Sequence, residues 1–264
     1  MPDSKFPVVG ATPDGARDQD AAARAVREMF TSIAPRYDLL NHVLSFNVDR
    51  IWWRHTAKTF HAILVRLDAR VLDLCCGTGD MAFALHHEAE NSSPSIVGAD
   101  FSHAMLTRAM QKSAAFPRRS APRWIEADAL KLPFPDAHFD LVTSAFGFRN
   151  LADYDAGLRE IARVLRPGGE CGILDFGEPK GVLGSLYRIY FKQVLPRVGT
   201  LISGVRGPYA YLPESVERFP PPDEMLGRMK NAGFAKATWT PYTIGIAGLY
   251  RGEKSSQDHK VIPS

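Results

Sequence analysis

The chain reads as an α/β protein: a doubly wound, mostly parallel seven-stranded sheet with a reversed last strand, preceded by a helical cap. Three observations predict this. Short β-rich runs alternate with helical stretches through the middle of the chain, the rhythm of crossover-linked parallel strands. The last two β runs are only about three residues apart, too close for a crossover helix, so they pair antiparallel. Two helical patterns stand ahead of the first strong strand, in the position of a cap.

Residues 1–19 are rich in Pro, Gly, Asp and Ala without periodicity and read as a flexible lead-in. From Asp20 to Ile33, residues Ala22, Val26, Met29, Phe30 and Ile33 recur at helical spacing until Pro35 stops the run. A second helix is expected from about Val48 to Leu67, with Ile51, Trp52, Phe60, Ile63 and Leu64 on or near one side. Strands are expected at Arg70–Cys75, Ser95–Asp100, Arg123–Ala127, Phe139–Ala145 and Glu170–Phe176, with helices at Gly79–Glu88, Ser102–Ala115 and Tyr154–Leu165 between them. Pro167-Gly168-Gly169 reads as the turn that closes the last of these helices. A helix at Asp223–Ala232 ends at Gly233, and the closing strands are Ala237–Tyr242 and Ile246–Arg251. Residues 20–252 form a single domain, with 20–67 as the cap, an aromatic-rich insertion at 177–222 and a flexible tail at 253–264.

Composition narrows the class. Hydrophobic residues are 45% and charged residues 23% of 264 positions, an ordinary balance for a chain that buries a core. The net charge of +3 with no concentrated basic stripe argues against a nucleic-acid partner. No apolar run approaches the roughly 18 residues of a membrane span. The opening MPDSKFPVVG lacks the pattern of a secretory signal, so a cytoplasmic location is expected. Cys75, Cys76 and Cys171 fit neither a disulfide framework nor a zinc spacing, and His86 and His87 are adjacent rather than a helical turn apart, so no metal is expected.

The first strand runs into Asp73-Leu74-Cys75-Cys76-Gly77-Thr78-Gly79-Asp80. An apolar strand entering a Gly-x-Gly turn and then a helix is a nucleotide-binding turn, because glycine lets backbone pass close beneath a ligand. A dinucleotide site would carry G-x-G-x-x-G; here Ala82 stands at the last position, and Asp73 would repel pyrophosphate. A cationic sulfonium donor tolerates that acid, which favours S-adenosylmethionine over a nicotinamide dinucleotide. Asp100 ends the second strand about 27 residues after Asp73, placed to accept both ribose hydroxyls. Asp128-Ala129 follows the third, placed for the adenine edge. Three acids at three successive strand ends should converge on one crevice.

These motifs, with Leu132-Pro133-Phe134-Pro135-Asp136-Ala137-His138-Phe139-Asp140 and Arg163-Val164-Leu165-Arg166-Pro167-Gly168-Gly169, resemble those of class I S-adenosylmethionine-dependent methyltransferases, which have a Rossmann-like sheet. A narrower resemblance lies outside the donor motifs. Met29-Phe30, Ser32-Ile33-Ala34, Arg36-Tyr37-Asp38 and Asn41, with Leu44-Ser45-Phe46 and Arg50-x-Trp52, are similar to the N-terminal signature of the demethylmenaquinone and ubiquinone-biosynthesis C-methyltransferase family. Phe146-Gly147-Phe148-Arg149-Asn150, Val194-Leu195-Pro196-Arg197, Tyr211-Leu212-x-Glu214-Ser215 and Gly248-x-Tyr250-Arg251-Gly252 extend the likeness over about residues 26–252. Two departures stand out: the family often carries Ser where this chain has Ala145, and Gly where it has Asn47.

The resemblance implies methylation of a ring carbon of a reduced quinone precursor, demethylmenaquinol first and the benzoquinol precursor of ubiquinone as the alternative. It implies a donor site of Asp73, Gly77, Thr78, Gly79, Asp100, Asp128, Ala129 and Ala145, and catalytic roles for Arg149, Asn150 and Tyr37. A ring carbon beside a phenolic oxygen becomes nucleophilic when the proton leaves, and phenols titrate near pH 10. The site must therefore favour phenolate, and Arg149, always protonated, suits charge stabilisation rather than base catalysis. The competing reading of Arg149 is a structural ion pair to Asp153 or Asp155. Leu183, Leu186, Tyr187, Tyr190, Val194 and Leu195 fall at near-helical spacing and suit a polyprenyl tail or a membrane surface. The expected partners are thus a polyprenylated quinol, peripheral contact with a membrane and a second copy of the chain. A methyltransferase for another hydrophobic small molecule and a non-catalytic donor-binding subunit are the readings that compete with it.

Overall fold

The computed structural model describes residues 18–38, 47–89, 92–117, 120–177 and 208–256, with the single positions 10, 11, 13, 45, 179, 184, 190, 193 and 197. Seven strands form one sheet in the order β3-β2-β1-β4-β5-β7-β6. They are β1 (Arg70–Leu74), β2 (Ser95–Asp100), β3 (Arg123–Glu126), β4 (Phe139–Ala145), β5 (Leu165–Phe176), β6 (Phe234–Tyr242) and β7 (Ala247–Lys254). The first five pair in parallel, and β7 lies antiparallel between β5 and β6, the reversed last strand expected.

Alternation along the strands feeds two cores. Leu72, Leu74, Val142 and Ile173 face one side, packed with α6 (Tyr154–Val164) and α8 (Pro222–Asn231). Val71, Leu141 and Leu174 face the other, where α2 (Val48–Thr59), α3 (His61–Leu64) and α4 (Asp80–Glu88) lie. Each fully buried Leu or Phe contributes roughly 1.5–3 kcal/mol. The strand order reverses at β1, so the carboxyl ends of β1 and β4 frame a crevice.

The helical cap begins with α1 (Gln19–Ile33), whose first turn is capped by the Asp18 carboxylate accepting from Ala21 N at 2.7 Å. Three expectations are corrected. The single helix expected at Val48–Leu67 is broken at Phe60, which is 1% exposed; the break sends both Phe60 and Leu64 into the core ahead of β1. Pro167-Gly168-Gly169 is not a helix cap: α6 ends at Val164, and β5 already runs from Leu165 through an irregular register against Phe139 and Leu141. Strand β7 extends to Lys254, whose ammonium donates to Leu165 O at 2.7 Å, so the tail starts later than expected. In the lead-in, Ala11 is buried and donates to Leu151 O at 2.7 Å. The helical spacing read at Leu183, Leu186, Tyr187, Val194 and Leu195 lies outside the described residues, and of that set only Tyr190 is described.

Candidate active site

After β1 the backbone turns sharply. Cys75 adopts φ 53°, Gly77 φ 53° and Gly79 φ 88°, the last serving as the N-cap of α4 beneath the Trp124 ring. Opposite it, β4 ends at Ala145, and Phe146 takes φ 58°. Two non-glycine residues in the left-handed region, at the ends of the two strands that frame the crevice, mark strained backbone of the kind that gathers at functional sites. The two turns touch at Gly147, where a Cβ would overlap that of Cys75. Between them opens a cleft of about 750 Å³, counting its open mouth.

The cleft brings together Tyr37, Gly77, Asp100, Asp128, Ala129, Ala145 and Asn150 of the expected site residues. Asp100 is 6% exposed; its carboxylate accepts from Ser102 N at 2.9 Å and Gly77 N at 2.8 Å, and burial pushes its pKa up to about 6. Asp128 sits exposed at the rim, accepting from Leu130 N at 2.9 Å. Beside Gly77 there is open space: an added Cβ would meet only Tyr37 Cε1, at 3.9 Å. Asn150 also lines the cleft, and both its amide nitrogen and its amide oxygen are buried without a partner.

Asp73, Thr78, Gly79 and Arg149 are not in the cleft wall. Asp73 lies beneath it, fully buried; Thr143 Oγ1 donates to Oδ1 at 2.9 Å, Oδ2 has no partner, and burial raises its pKa to about 7. The three acids therefore form two lining carboxylates and one in the layer behind. Burial also pushes the thiols of Cys75 and Cys76 well above the usual range, so they remain protonated and are no nucleophiles.

Thr78 turns outward into a cluster that joins the cap to the glycine turn. Its hydroxyl donates to Asp38 Oδ1 at 2.5 Å, and Lys112 of α5 (His103–Ser113) donates to Asp38 Oδ2 at 3.2 Å and Asp80 Oδ1 at 2.5 Å. Further along the same seam, Arg27 lies 5.4 Å from the Phe101 ring and Thr31 Oγ1 is 3.2 Å from Ser102 Oγ. The cap thus roofs the cleft with Ala23, Phe30 and Tyr37.

Arg149 is 5% exposed, one layer behind the cleft. Its guanidinium donates to Asp175 Oδ1 at 2.8 Å, to Ser215 Oγ at 3.3 Å and to Phe146 O, and lies 5.1 Å from the Phe176 ring. The ion pair is therefore to Asp175 rather than to Asp153 or Asp155: Asp153 caps α6 through Ala156 N, and Asp155 pairs with Arg228 at 2.8 Å. Sequence reasoning missed Lys112, Asp175, Ser215 and the partnerless hydroxyl of Tyr211. Asp175 carried a signal, an acid near the end of a strand like Asp100, and Tyr211 and Ser215 carried one as members of a family motif; Lys112 reaches the site across a long sequence separation.

No metal-binding group of His, Cys, Asp and Glu side chains occurs among the described residues. Solved structures share the fold. A methyltransferase of Thermotoga maritima aligns with TM-score 0.59 at 18% identity over 87% of this chain and 99% of its own. The [4+2]-cyclase SpnF aligns with TM-score 0.66 at 17% identity over 94% and 99%. A cyclase on this sheet shows that the fold alone does not settle the reaction. Sequence relatives are nearer. A demethylmenaquinone methyltransferase of Deinococcus radiodurans is 49% identical over 90% of this chain and 95% of its own length. One of Thermus thermophilus is 48% identical over 86% and 100%. The ubiquinone/menaquinone biosynthesis C-methyltransferase UbiE of Geobacter sulfurreducens is 44% identical over 87% and 88%. The model of the ubiE/COQ5 methyltransferase family matches residues 17–254, the whole sheet with its cap, and the chain belongs to that family.

Proposed function

We propose that this methyltransferase places a methyl group on a ring carbon of demethylmenaquinol, with S-adenosylmethionine as donor. The observation that carries the reading is one cleft lined by Asp100, Asp128 and Gly77 together with Asn150, whose buried amide has no partner. The residues fit the donor: Asp100 for its ribose hydroxyls, Asp128 and the Ala129 backbone for its adenine edge, open space beside Gly77 for its chain, and Asp73 with a partnerless oxygen behind. Ala145 offers no side-chain hydrogen bond there. When bound, S-adenosylmethionine supplies an electrophilic methyl group on a cationic sulfur.

The chain's own contribution is orientation and charge. Asn150 can donate to or accept from the acceptor's oxygens, since nothing else holds its amide. Arg149, bonded to Phe146 O, fixes the Phe146–Asn150 loop that carries that amide. Its charge is offset by Asp175, so it favours phenolate by a directed local dipole rather than as an isolated cation. Tyr37 closes the donor end and limits water. Holding the nucleophilic carbon against the donor methyl accounts for the largest share of the rate. The relatives named for both quinones favour the benzoquinol precursor of ubiquinone as a second acceptor.

The test is turnover of a reduced, short-tailed demethylmenaquinol, with ring methylation read by mass spectrometry; no methylated product refutes the reading. Arg149→Lys keeps a charge but cannot span the present partners, and kcat should fall about 10²-fold while donor affinity stays within about twofold. Equal loss of donor affinity counts against an acceptor-side role. Arg149→Leu is the poorer probe, because an unpaired buried Asp175 should cost about 3–5 kcal/mol of stability.

A further inference from the structure

The outward face of α2 differs from the rest of the surface. At helical spacing Arg50, Ile51, Arg54, His55 and Lys58 fall on one exposed arc, while Asp49, Trp52, Trp53, Thr56 and Ala57 fall on the buried one. The exposed arc holds three fixed cations and no acid. Among the described residues none of the three has a carboxylate at ion-pair distance, whereas Arg163, Arg228 and Arg251 each hold one. Like charges four residues apart on a helix repel, so this arc is built for an anion from outside.

A second observation adjoins it. The turn Thr243–Gly245 links β6 to β7 at the carboxyl edge of the sheet and is tied to α2 by Trp52 Nε1 donating to Thr243 Oγ1 at 2.8 Å. Thr243 has φ 44° and Ile244 φ 60°, two successive β-branched residues in the left-handed region. Ile244 is 68% exposed and Ile51 49% exposed. A strained backbone that holds an isoleucine out into water gains nothing in the isolated protein. On the buried side of α2 the Trp52 ring lies 5.8 Å from that of Phe146, which lines the cleft. The exposed Leu67 stands just before β1, at the opposite edge.

We propose that the α2 arc and Ile244 together dock the protein on a membrane bearing anionic headgroups, with Arg50, Arg54 and Lys58 over the phosphates and Ile51 and Ile244 among the acyl chains. The occupant follows from charge complementarity and from the paired exposed isoleucines. No helix among the described residues is long and apolar enough to cross a membrane, so contact is from one side. Its purpose rests on the lipid-tailed acceptor proposed above: docking here sets the cleft wall against the layer that holds the tail.

The test uses the full chain and vesicles of phosphatidylglycerol in phosphatidylcholine, free of quinol, with bound protein read by sedimentation. The wild type should bind, more weakly as salt rises, and should ignore pure phosphatidylcholine. The triple substitution R50Q/R54Q/K58Q should lower partitioning on the order of a hundredfold. Ile244→Gly should lower it about tenfold without lowering the unfolding temperature, since glycine accepts that φ. Turnover of a soluble short-tailed quinol by the triple variant should match the wild type, and turnover of a vesicle-embedded long-tailed quinol should drop. A wild type that ignores anionic vesicles, or a triple variant that binds them as tightly, overturns the proposal, as does salt-sensitive binding to an acidic protein but not to vesicles. Failure of both proteins to methylate any quinol, with vesicle binding intact, refutes the acceptor assignment instead.

Discussion

Asp73 and Asp100 are both carboxylates at or near the end of a strand, yet burial has acted on them differently. Asp100 keeps backbone donors at Ser102, Gly77 and Phe101 and rises to about 6; Asp73 has one hydroxyl and a backbone donor at Ala82, leaves Oδ2 bare, and rises to about 7. In the folded protein these groups hold their protons to higher pH than in the unfolded chain, where they titrate near 3.8. The folded state therefore binds more protons between about pH 4 and 7, and stability falls as pH rises through that window. A cationic donor reverses the preference by favouring the ionised acids. Donor affinity should rise with pH from about 5 and level off above about 7, with proton release on binding below that. Calorimetry in buffers of different ionisation enthalpy measures this directly, and a flat affinity with no proton release would contradict it. Asp100 and Asp128 were placed in the crevice because it opens at the carboxyl ends of the parallel strands, although Asp73 and Asp175 show that an acid near a strand end can also turn into the layer behind. The bond between Arg149 and Asp175, 26 residues apart, was not legible, because the sequence does not show which of several nearby acids a buried arginine selects.

At the scale of elements, β1 to β4 were read to within a residue, whereas β5 and β6 start at Leu165 and Phe234, ahead of the expected Glu170 and Ala237, and β7 runs on from Arg251 to Lys254. Misreadings fell where packing overrides local pattern. Phe60 interrupts a helical periodicity that continues through Leu64: its backbone leaves helical geometry at φ −103°, ψ 14°, a break the side-chain spacing does not reveal. The Pro-Gly-Gly stretch looks like a helix end but forms the irregularity of β5 between the pairings of Leu165 with Phe139 and of Glu170 with Leu141, partners that local sequence does not reveal. The meeting of the β1 and β4 turns is the contact on which the cleft depends. Gly147→Ala should force those turns apart, costing about 1–3 kcal/mol in denaturant unfolding and weakening donor affinity together. Loss of stability with unchanged donor affinity would mean that the two turns do not jointly shape the site.

For the whole molecule, the alternation of elements announced the sheet and its reversed strand, but not that the cap would be fastened by charges. Lys112 lies in the last turn of α5, and only the assembled fold brings it beside Asp38 and Asp80. Lys112→Ala should speed donor release about tenfold, roughly 1.4 kcal/mol, and added salt should narrow the gap from wild type. Stopped-flow release of a fluorescent donor analogue measures both, and an unchanged release rate would mean that the cluster does not hold the roof.

Tyr37 above Gly77 has a kinetic corollary. A nucleoside seated against that glycine would have an aromatic ring for its neighbour, and exchange of spent for fresh donor would brush past it. Wherever that passage is slow, throughput would answer to release rather than to the grip on the acceptor.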